Sequence, residues 1–425
     1  MKALNVFSGQ TLVGQLTESE AQGLCFQYVR TWLADKAAKS LSPELPLDEQ
    51  IFSGDTVASF FQNLLPEGEI LQFISRAAHI SGDNTFGLLE RFGGDTAGAF
   101  SVLPEGVLPS ATAHYLAVSQ GEIGQWLEHS RGIPLNINGE QARMSLSGAQ
   151  DKITVFINAQ GEMAIPLGAA PSSHIIKPSI KHRHDVPNTA MNEFMIMTLA
   201  REMKLDVAEV NYLSELNAVI VTRFDRKTDA KGQLTRLHQN DLCQLLGLLS
   251  NKKYESEGGP TLKACFNAVL KHSSQPAKDK KRLIEWVVFN VLVGNMDGHA
   301  KNLSLMRGDD KTKLTPFYDL ICTAVYPQLS QKIAFKIGGE NRPQWLMRRH
   351  WERFAQEIDT KPTLVISIIN GLSKRMEQVL PVLVNKLNAL HTQTEERAMV
   401  EKITQFIEQS TVLLTSRIND DSAKQ

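Results

Sequence analysis

The stretch Gly294-Asn295-Met296-Asp297-Gly298-His299-Ala300-Lys301-Asn302 follows a helix-spaced apolar run, LIEWVVFNVLVG, and leads straight into the strand-like NLSLM. It sets an Asp, a His, a Lys and an Asn within six residues. Arg307-Gly308-Asp309-Asp310 then gives a turn signal, and KLTP a second short strand ending in Phe317-Tyr318-Asp319. If NLSLM and KLTP pair as a hairpin, Asn302 enters it and Asp319 leaves it at the same end, close to Asp297. Three oxygen-bearing side chains then converge on one point. Asp and Asn also populate loops for turn reasons alone, so a plain helix-to-strand loop stays open on this stretch by itself.

Such a cluster suits phosphoryl transfer: a carboxylate to take the hydroxyl proton, and an Asn with a second Asp to hold Mg²⁺ against a triphosphate. Asp297 is the candidate base, with Asn302 and Asp319 as metal ligands. The D-x-x-x-x-N spacing is that of the protein-kinase catalytic loop. The middle of the chain supplies the other half of a nucleotide site. Ser145-Leu146-Ser147-Gly148-Ala149-Gln150-Asp151-Lys152 is a run of mostly small residues entering a hairpin, where backbone N–H groups could approach phosphates. HIIKP carries Lys177 among apolar neighbours, and Glu193, early in the next helix, can pair with it. Ile220-Val221-Thr222-Arg223-Phe224-Asp225 stands where a hinge would join two lobes, with backbone for an adenine edge and Asp225 for a ribose; a buried strand with a solvated end is the alternative. Loop, lysine, glutamate, hinge, base, Asn and Asp come in the order a bilobal kinase requires.

Working outward, 425 residues imply two to four domains, and 42% hydrophobic with 21% charged residues is globular composition. Lys plus Arg is 45 against 46 for Asp plus Glu, so no global basic field draws the chain to nucleic acid. The four cysteines, Cys25, Cys243, Cys265 and Cys322, have no C-x-x-C spacing and read as buried thiols of a reducing cytosol. No continuous apolar run resembles a signal peptide or a membrane span, so the expectation is a soluble cytoplasmic protein without a membrane partner. LNVF and TLVGQLT around Ser-Gly-Gln, then ILQFISRAAHI, read as a small α+β unit over 1–108. The Gly/Pro/Ser/Ala-rich FGGDTAGAFSVLPEGVLPSATA reads as connecting chain. KITVFI, GEMAIP and HIIKP make 109–237 sheet-rich, MNEFMIMTLAREMKL is a helix whose methionines pack a core, and 238–425 is mostly helical. Lys278-Asp279-Lys280-Lys281-Arg282 opens a helix against its dipole and reads as solvated.

On SLSGAQDK, HIIK, TRFDR, DLCQLLGL with KYESEGGP, DGHAKN and LTPFYD, in that order, the chain resembles the HipA-type serine/threonine kinase toxins of bacterial toxin–antitoxin pairs. The likeness runs over nearly the whole length. It implies an α+β, bilobal protein-kinase-like fold with an additional small N-terminal α+β domain for partner binding (1–108), a sheet lobe with the phosphate loop (109–237) and a largely helical C-terminal lobe (238–425). ATP and Mg²⁺ are the implied cofactors. Position by position, Asp297 matches the catalytic base, Lys177 the ATP lysine, and Asn302 and Asp319 the metal ligands. Ser147, Gly148, Ala149, Gln150, Asp151 and Lys152 match the phosphate loop, Thr222, Arg223 and Phe224 the hinge, and Asp225 a ribose contact. His299 and Lys301 lie in the nucleotide-contacting catalytic loop.

Ser145 matches an autophosphorylated serine, and a phosphate there would add about −1.5 to −2 charge beside the site for the phosphates of ATP, a route to self-inhibition. The resemblance further implies a small helix-turn-helix (HipB-like) antitoxin, an aminoacyl-tRNA synthetase as substrate class, and operator DNA reached mainly through the antitoxin. Asn341-Arg342-Pro343 and Arg348-Arg349-His350-Trp351-Glu352-Arg353 are the basic and aromatic candidates for direct DNA contact, without a lysine cluster. Two alternatives remain: a small-molecule or lipid kinase, from the G-x-x-D-x-H-x-x-N loop, and a non-catalytic co-repressor acting with a helix-turn-helix partner.

Overall fold

The structure is a computed structural model and describes residues 2–110, 113–129, 150–229, 233–308, 311–390 and 393–419. The chain forms two compact units, one of residues 1–177, 221–251 and 306–310, the other of 178–220, 252–305 and 311–425.

The first unit begins with strands of alternating burial. β1 (Ala3–Ser8) pairs antiparallel with β2 (Thr11–Ser19), Leu4 opposite Leu16, and β2 with β3 (Gly23–Tyr28). β4 (Phe52–Ser53) closes one edge and β5 (Phe100–Pro104) the other, giving the order β4-β3-β2-β1-β5. Apolar side chains on one face, among them Leu4, Val6, Leu16 and Phe26, bury against Phe60, Phe61 and the helix Thr85–Phe92. The helix expected in ILQFISRAAHI runs over Gly68–Ala78 and ends on His79 in the left-handed region. β5 corrects part of the linker reading: Ser101, Val102 and Leu103 are buried, and the strand pairs along the length of β1. Small residues there signal close packing against a sheet, not free chain.

A second sheet in this unit holds β6 (Tyr115–Ala117), β7 (Ile153–Ile157), β8 (Met163–Pro166) and β9 (His174–Pro178), the expected hairpin plus a further strand. In the second unit, β10 (Val210–Leu213) neighbours β11 (Ala218–Thr222), along which the chain passes back into the first unit. There β12 (Arg226–Thr228) and β13 (Leu234–Arg236) form a short ribbon, followed by β14 (His238–Asp241).

The second unit is otherwise helical. The helix Thr189–Glu202 is buried almost all round, with Met191, Met195 and Met197 fully enclosed, which bears out the core reading of its methionines. Val365, Ile369, Leu372, Met376, Leu380, Leu383 and Leu387 recur at intervals of three and four along Pro362–Leu390, and that stripe packs against Thr394–Asn419. All four cysteines are buried and in the thiol form. No helix among the described residues is long and apolar enough to cross a membrane.

Candidate active site

The helix Pro276–Val293 starts with proline at its first position and buries Trp286, Val287, Phe289, Asn290 and Leu292. The solvated reading of the basic run holds for Lys278 and Lys281, which are exposed, and is corrected at Asp279 and Arg282. Asp279 is fully buried, accepting from Ser273 Oγ at 2.6 Å and from the Leu314 N–H at 3.0 Å. Arg282, 7% exposed, donates to the carbonyls of Leu314 and Thr315, both at 2.8 Å. Asp279 and Arg282 therefore fasten the helix to the strand that leads to Asp319, while Lys281 stays at the surface beside Glu285.

Gly294 ends this helix at φ +69°, with the Gly294 N–H donating to the Val291 carbonyl and the Asn295 N–H to that of Asn290. A Cβ at Gly294 would stand 2.3 Å from the Phe406 ring, so only glycine both turns the chain and fits there. The loop beyond is held by its own side chains. The Met296 N–H donates to Thr323 Oγ1 at 2.8 Å, Asn295 Nδ2 to Asn290 Oδ1 at 2.9 Å, and the Asp297 N–H to Asn295 Oδ1 at 3.1 Å. Asp297 itself is exposed, and its Oδ1 accepts a short hydrogen bond from the Tyr254 hydroxyl. The Tyr254 ring meets His299 edge-on at 5.0 Å. Tyr254 orients the carboxylate, a role its place in KYESEGGP did not reveal, because a sequence gives no sign of which distant tyrosine reaches a loop.

His299 opens a single 3₁₀ turn, Ala300–Asn302, in which the His299 N–H donates to Asn302 Oδ1 at 2.9 Å. Asn302 Nδ2 in turn donates to Asp319 Oδ2 at 2.9 Å. β15 (Ser304–Arg307) and β16 (Thr312–Leu314) follow, and the Thr315 N–H bonds the Ser304 carbonyl at 2.9 Å. The hairpin argument thus holds: Asn302 and Asp319 meet where the two strands begin and end. Tyr318 ties the two sides by donating to the Lys301 carbonyl at 2.7 Å, with Ser304 Oγ at 2.6 Å from its hydroxyl. Asp319 sits at φ +60°, a strained position for a residue other than glycine that aspartate tolerates better than most. Asn302, His299 and Lys301 are buried while Asp319 is half-buried. A carboxylate beside an amide, both offering oxygen, suits Mg²⁺, which is held by one or two protein groups and completes its shell with water and phosphate. Asn302 Oδ1 has a second lone pair to offer beyond its bond to His299.

The other expected residues belong to the first unit, apart from Glu193, which is buried in the helix Thr189–Glu202 of the second. Lys177 is 8% exposed near the end of β9. Ser145, Ser147, Gly148 and Ala149 lie outside the described residues. Gln150 and Lys152 are half-buried and Asp151 is buried, just before β7. Thr222 ends β11, and the Arg223 N–H donates to the Ser173 carbonyl at 2.9 Å; Phe224 is half-buried.

The side chains of Arg223 and Asp225 are turned inward. Asp225 Oδ2 accepts from the Gly98 N–H at 2.8 Å and from Arg223 Nη2 at 2.8 Å, and its Oδ1 from Arg223 Nε at 3.0 Å. Asp95, 1% exposed, takes Arg226 Nη2 at 2.8 Å, Arg236 Nη2 at 2.9 Å, Ser172 Oγ at 2.6 Å and Arg223 Nη1 at 3.3 Å. Burial raises the carboxyl of Asp95, but Arg223, Arg226 and Arg236 outweigh it and pull it down to about 2; Asp225 is lowered for the same reason. The solvated Arg-Phe-Asp end is thus a buried ionic clasp, and Asp225, 3% exposed, faces the protein interior, not a ribose edge. Asp95 and Ser172 were missed because neither lies in a recognisable motif.

A model of the HipA N-terminal domain matches residues 4–103, and a model of the HipA-like C-terminal domain matches residues 144–380. The chain is 37% identical, over 88% of its length and 89% of the relative's, to a putative kinase, Y4mE, of Sinorhizobium fredii. It is 29% identical to the serine/threonine-protein kinase toxin HipA of Shewanella oneidensis, covering 96% of this chain and 97% of that one. Among solved structures, HipA in the Shewanella oneidensis complex of HipA, HipB and operator DNA superposes with a TM-score of 0.85 at 27% identity, covering 99% of this chain and 100% of that one. With the α+β architecture and the Asp297, Asn302 and Asp319 loop already in place, these matches establish that the chain belongs to the HipA-like family of kinases.

Proposed function

We propose that the chain is an ATP- and Mg²⁺-dependent serine/threonine kinase acting as the toxin of a toxin–antitoxin pair. The observation that carries this reading is the Asn302–Asp319 contact at 2.9 Å beside an exposed, tyrosine-oriented Asp297. In the reaction a serine or threonine hydroxyl of the substrate attacks the γ-phosphorus, its proton passes to Asp297, and the bond to the β-phosphate oxygen breaks to release ADP. With Oδ1 of Asp297 engaged by Tyr254, Oδ2 would be the oxygen that takes the proton. Asn302 and Asp319 would hold the metal, whose chemistry is to neutralise charge on the transferring phosphates. Lys177 would reach those phosphates, with Glu193 as its charge partner. Gln150, Asp151 and Lys152 continue the phosphate loop begun by Ser147, Gly148 and Ala149, backbone at Thr222, Arg223 and Phe224 would take the adenine edge, and His299 and Lys301 would line the nucleotide. Asp225 serves through the loop it clasps.

Ser145 is the proposed phosphosite, its phosphate competing with those of ATP for the same loop. The partner is a HipB-like helix-turn-helix protein, as in the Shewanella oneidensis complex. Operator DNA would be reached through that partner, because Arg342 here is bound by Glu340 at 2.8 and 2.9 Å and stacks 4.9 Å over Trp345. An aminoacyl-tRNA synthetase is the substrate class in this reading. The test is autophosphorylation with ATP and Mg²⁺ on protein first shown to be unphosphorylated, with phosphosites mapped by mass spectrometry. Label on Ser145 that falls at least about 100-fold in Asp297→Asn supports the reading. Equal labelling in both proteins removes Asp297 from the reaction and overturns the reading, whereas no label and no nucleotide binding overturns it in favour of a co-repressor.

A further inference from the structure

Tyr254, whose hydroxyl orients Asp297, stands at the start of a turn that lies wholly within the second unit. It precedes one turn of 3₁₀ helix, Glu255–Glu257, and its carbonyl accepts from the Glu257 N–H at 3.0 Å and from the Gly259 N–H at 2.9 Å. Gly258 closes that turn at φ +82°. A Cβ at Gly259 would stand 2.4 Å from the Lys252 carbonyl oxygen and 2.6 Å from that of Tyr254, so two passes of backbone touch there and only glycine fits between them. The glycines of KYESEGGP thus fold the chain tightly behind Tyr254.

The turn meets the catalytic loop at three points. The Ala300 N–H donates to the Lys253 carbonyl at 3.3 Å, the Tyr254 ring packs edge-on against His299, and the Tyr254 hydroxyl donates to Asp297. On its other side the turn is anchored by Glu255. That side chain is 13% exposed, and its Oε2 accepts the Lys336 N–H at 2.7 Å, with Lys336 Nζ 3.9 Å from Oε1. A carboxylate accepting an N–H makes a charge-assisted bond, about twice as strong as a neutral one. The segment it grips is stiff. Phe335 and Ile337 on either side of Lys336 are buried, and the Phe335 ring meets that of Trp286, in the helix that leads into the catalytic loop, at 6.3 Å. The Ile333 N–H bonds the Asn341 carbonyl at 2.9 Å, and the Ile337 N–H that of Glu340 at 2.8 Å. Glu255 is therefore a strut between this segment and the turn that carries Tyr254.

We propose that Glu255 is a positioning residue for phosphotransfer, acting through Tyr254: its bond to the Lys336 N–H fixes the turn from which the Tyr254 hydroxyl holds Asp297 Oδ1. The catalytic part of this assignment rests on the kinase reading. Glu255 and Tyr254 are neighbours in the chain, so a shift of one backbone carries the other with it. An error of about 1 Å in the placing of a reacting group costs about 100-fold in rate, which makes a strut one residue from Tyr254 a determinant of activity.

A double-mutant cycle on the full chain tests this, read as the rate of autophosphorylation at saturating ATP and Mg²⁺ on protein first shown to be unphosphorylated. Tyr254→Phe keeps the ring against His299 and deletes the bond to Asp297, so it should lower the rate about 10- to 100-fold and leave the KM for ATP unchanged. Glu255→Ala should lower the rate about 10-fold or more, and Glu255→Gln, still able to accept the Lys336 N–H, should recover most of that loss. In the Tyr254→Phe background, Glu255→Ala should cost less than about twofold more, because the bond it serves is already gone. Losses that multiply in the double variant, or full activity in Glu255→Ala, overturn the proposal. Independently of activity, with 3-fluorotyrosine at the six tyrosines, the fluorine resonance absent from Tyr254→Phe should move in Asp297→Asn and in Glu255→Ala, and far less in Glu255→Gln. A resonance indifferent to Glu255→Ala overturns the strut. Phosphotransfer absent from the wild type while the resonance moves as expected overturns the catalytic role through the kinase reading, and so separates the two failures.

Discussion

Asp95→Asn changes one oxygen to an amide in a space that is almost wholly closed, and it removes one of two carboxylates facing three guanidinium groups, those of Arg223, Arg226 and Arg236. The side chains of Arg223 and Arg226 are 2% and 1% exposed, so solvent does little to screen what remains. Breaking a buried ion pair by removing one partner costs about 3–5 kcal/mol, because the opposite charge stays behind uncompensated. In a body the size of the first unit that lowers the melting temperature by about 6–20 °C. The effect has a pH signature. The carboxyl of Asp95 is held at about 2 against an ordinary 3.8, so its stabilisation is complete above the ordinary value and lost as pH falls through about 2. Asn at this position has nothing to titrate. The gap between wild type and variant should be constant above pH 5 and narrow by about 2 kcal/mol on descent to pH 2. Urea unfolding followed by circular dichroism, at several pH values, reads both numbers. Ser172→Ala, which deletes a single hydroxyl bond to Asp95, serves as the milder variant at about 1–3 kcal/mol. An Asp95→Asn protein that unfolds within 1 kcal/mol of wild type, or a gap that ignores pH, would refute the clasp.

Asp319→Asn keeps the side-chain shape and a residue tolerant of φ +60°, so unfolding should shift by less than about 1 kcal/mol while phosphotransfer falls at least about 100-fold at fixed Mg²⁺; equal activity would remove Asp319 from the site. Burial pushes the Cys322 thiol up to about 12 and raises Cys265 further, and Cys25 and Cys243 are enclosed as well. A disulfide reagent at pH 8 should therefore label the native protein at less than about a tenth of the rate seen in denaturant, and prompt labelling of native thiols would contradict their enclosure.

Much of the site was legible because it is local. From Gly294 to Asp319, helix stop, loop, turn signal and two short strands follow each other, and pairing adjacent strands through a short turn leaves little choice about which ends meet. The contact between Asn302 and Asp319 follows from that arithmetic of chain length. The strands of 153–178 and the buried methionine helix were legible for the same reason, since periodicity reports which face is covered.

The sequence alone determined the order of elements, the identity of the oxygen donors and, through its motifs, the family. Tertiary structure decided which charges are solvated. Asp279 and Arg282 read as surface charges and are buried bonds; Arg223 and Asp225 read as a hinge, or else as the solvated end of a strand, and are sealed by Asp95, distant in the chain. Charge is a property of a residue, whereas solvation is a property of what surrounds it. The partners that supply it here, Asp95, Ser172 and Tyr254, stand some 40 to 130 residues away, beyond the reach of any local pattern.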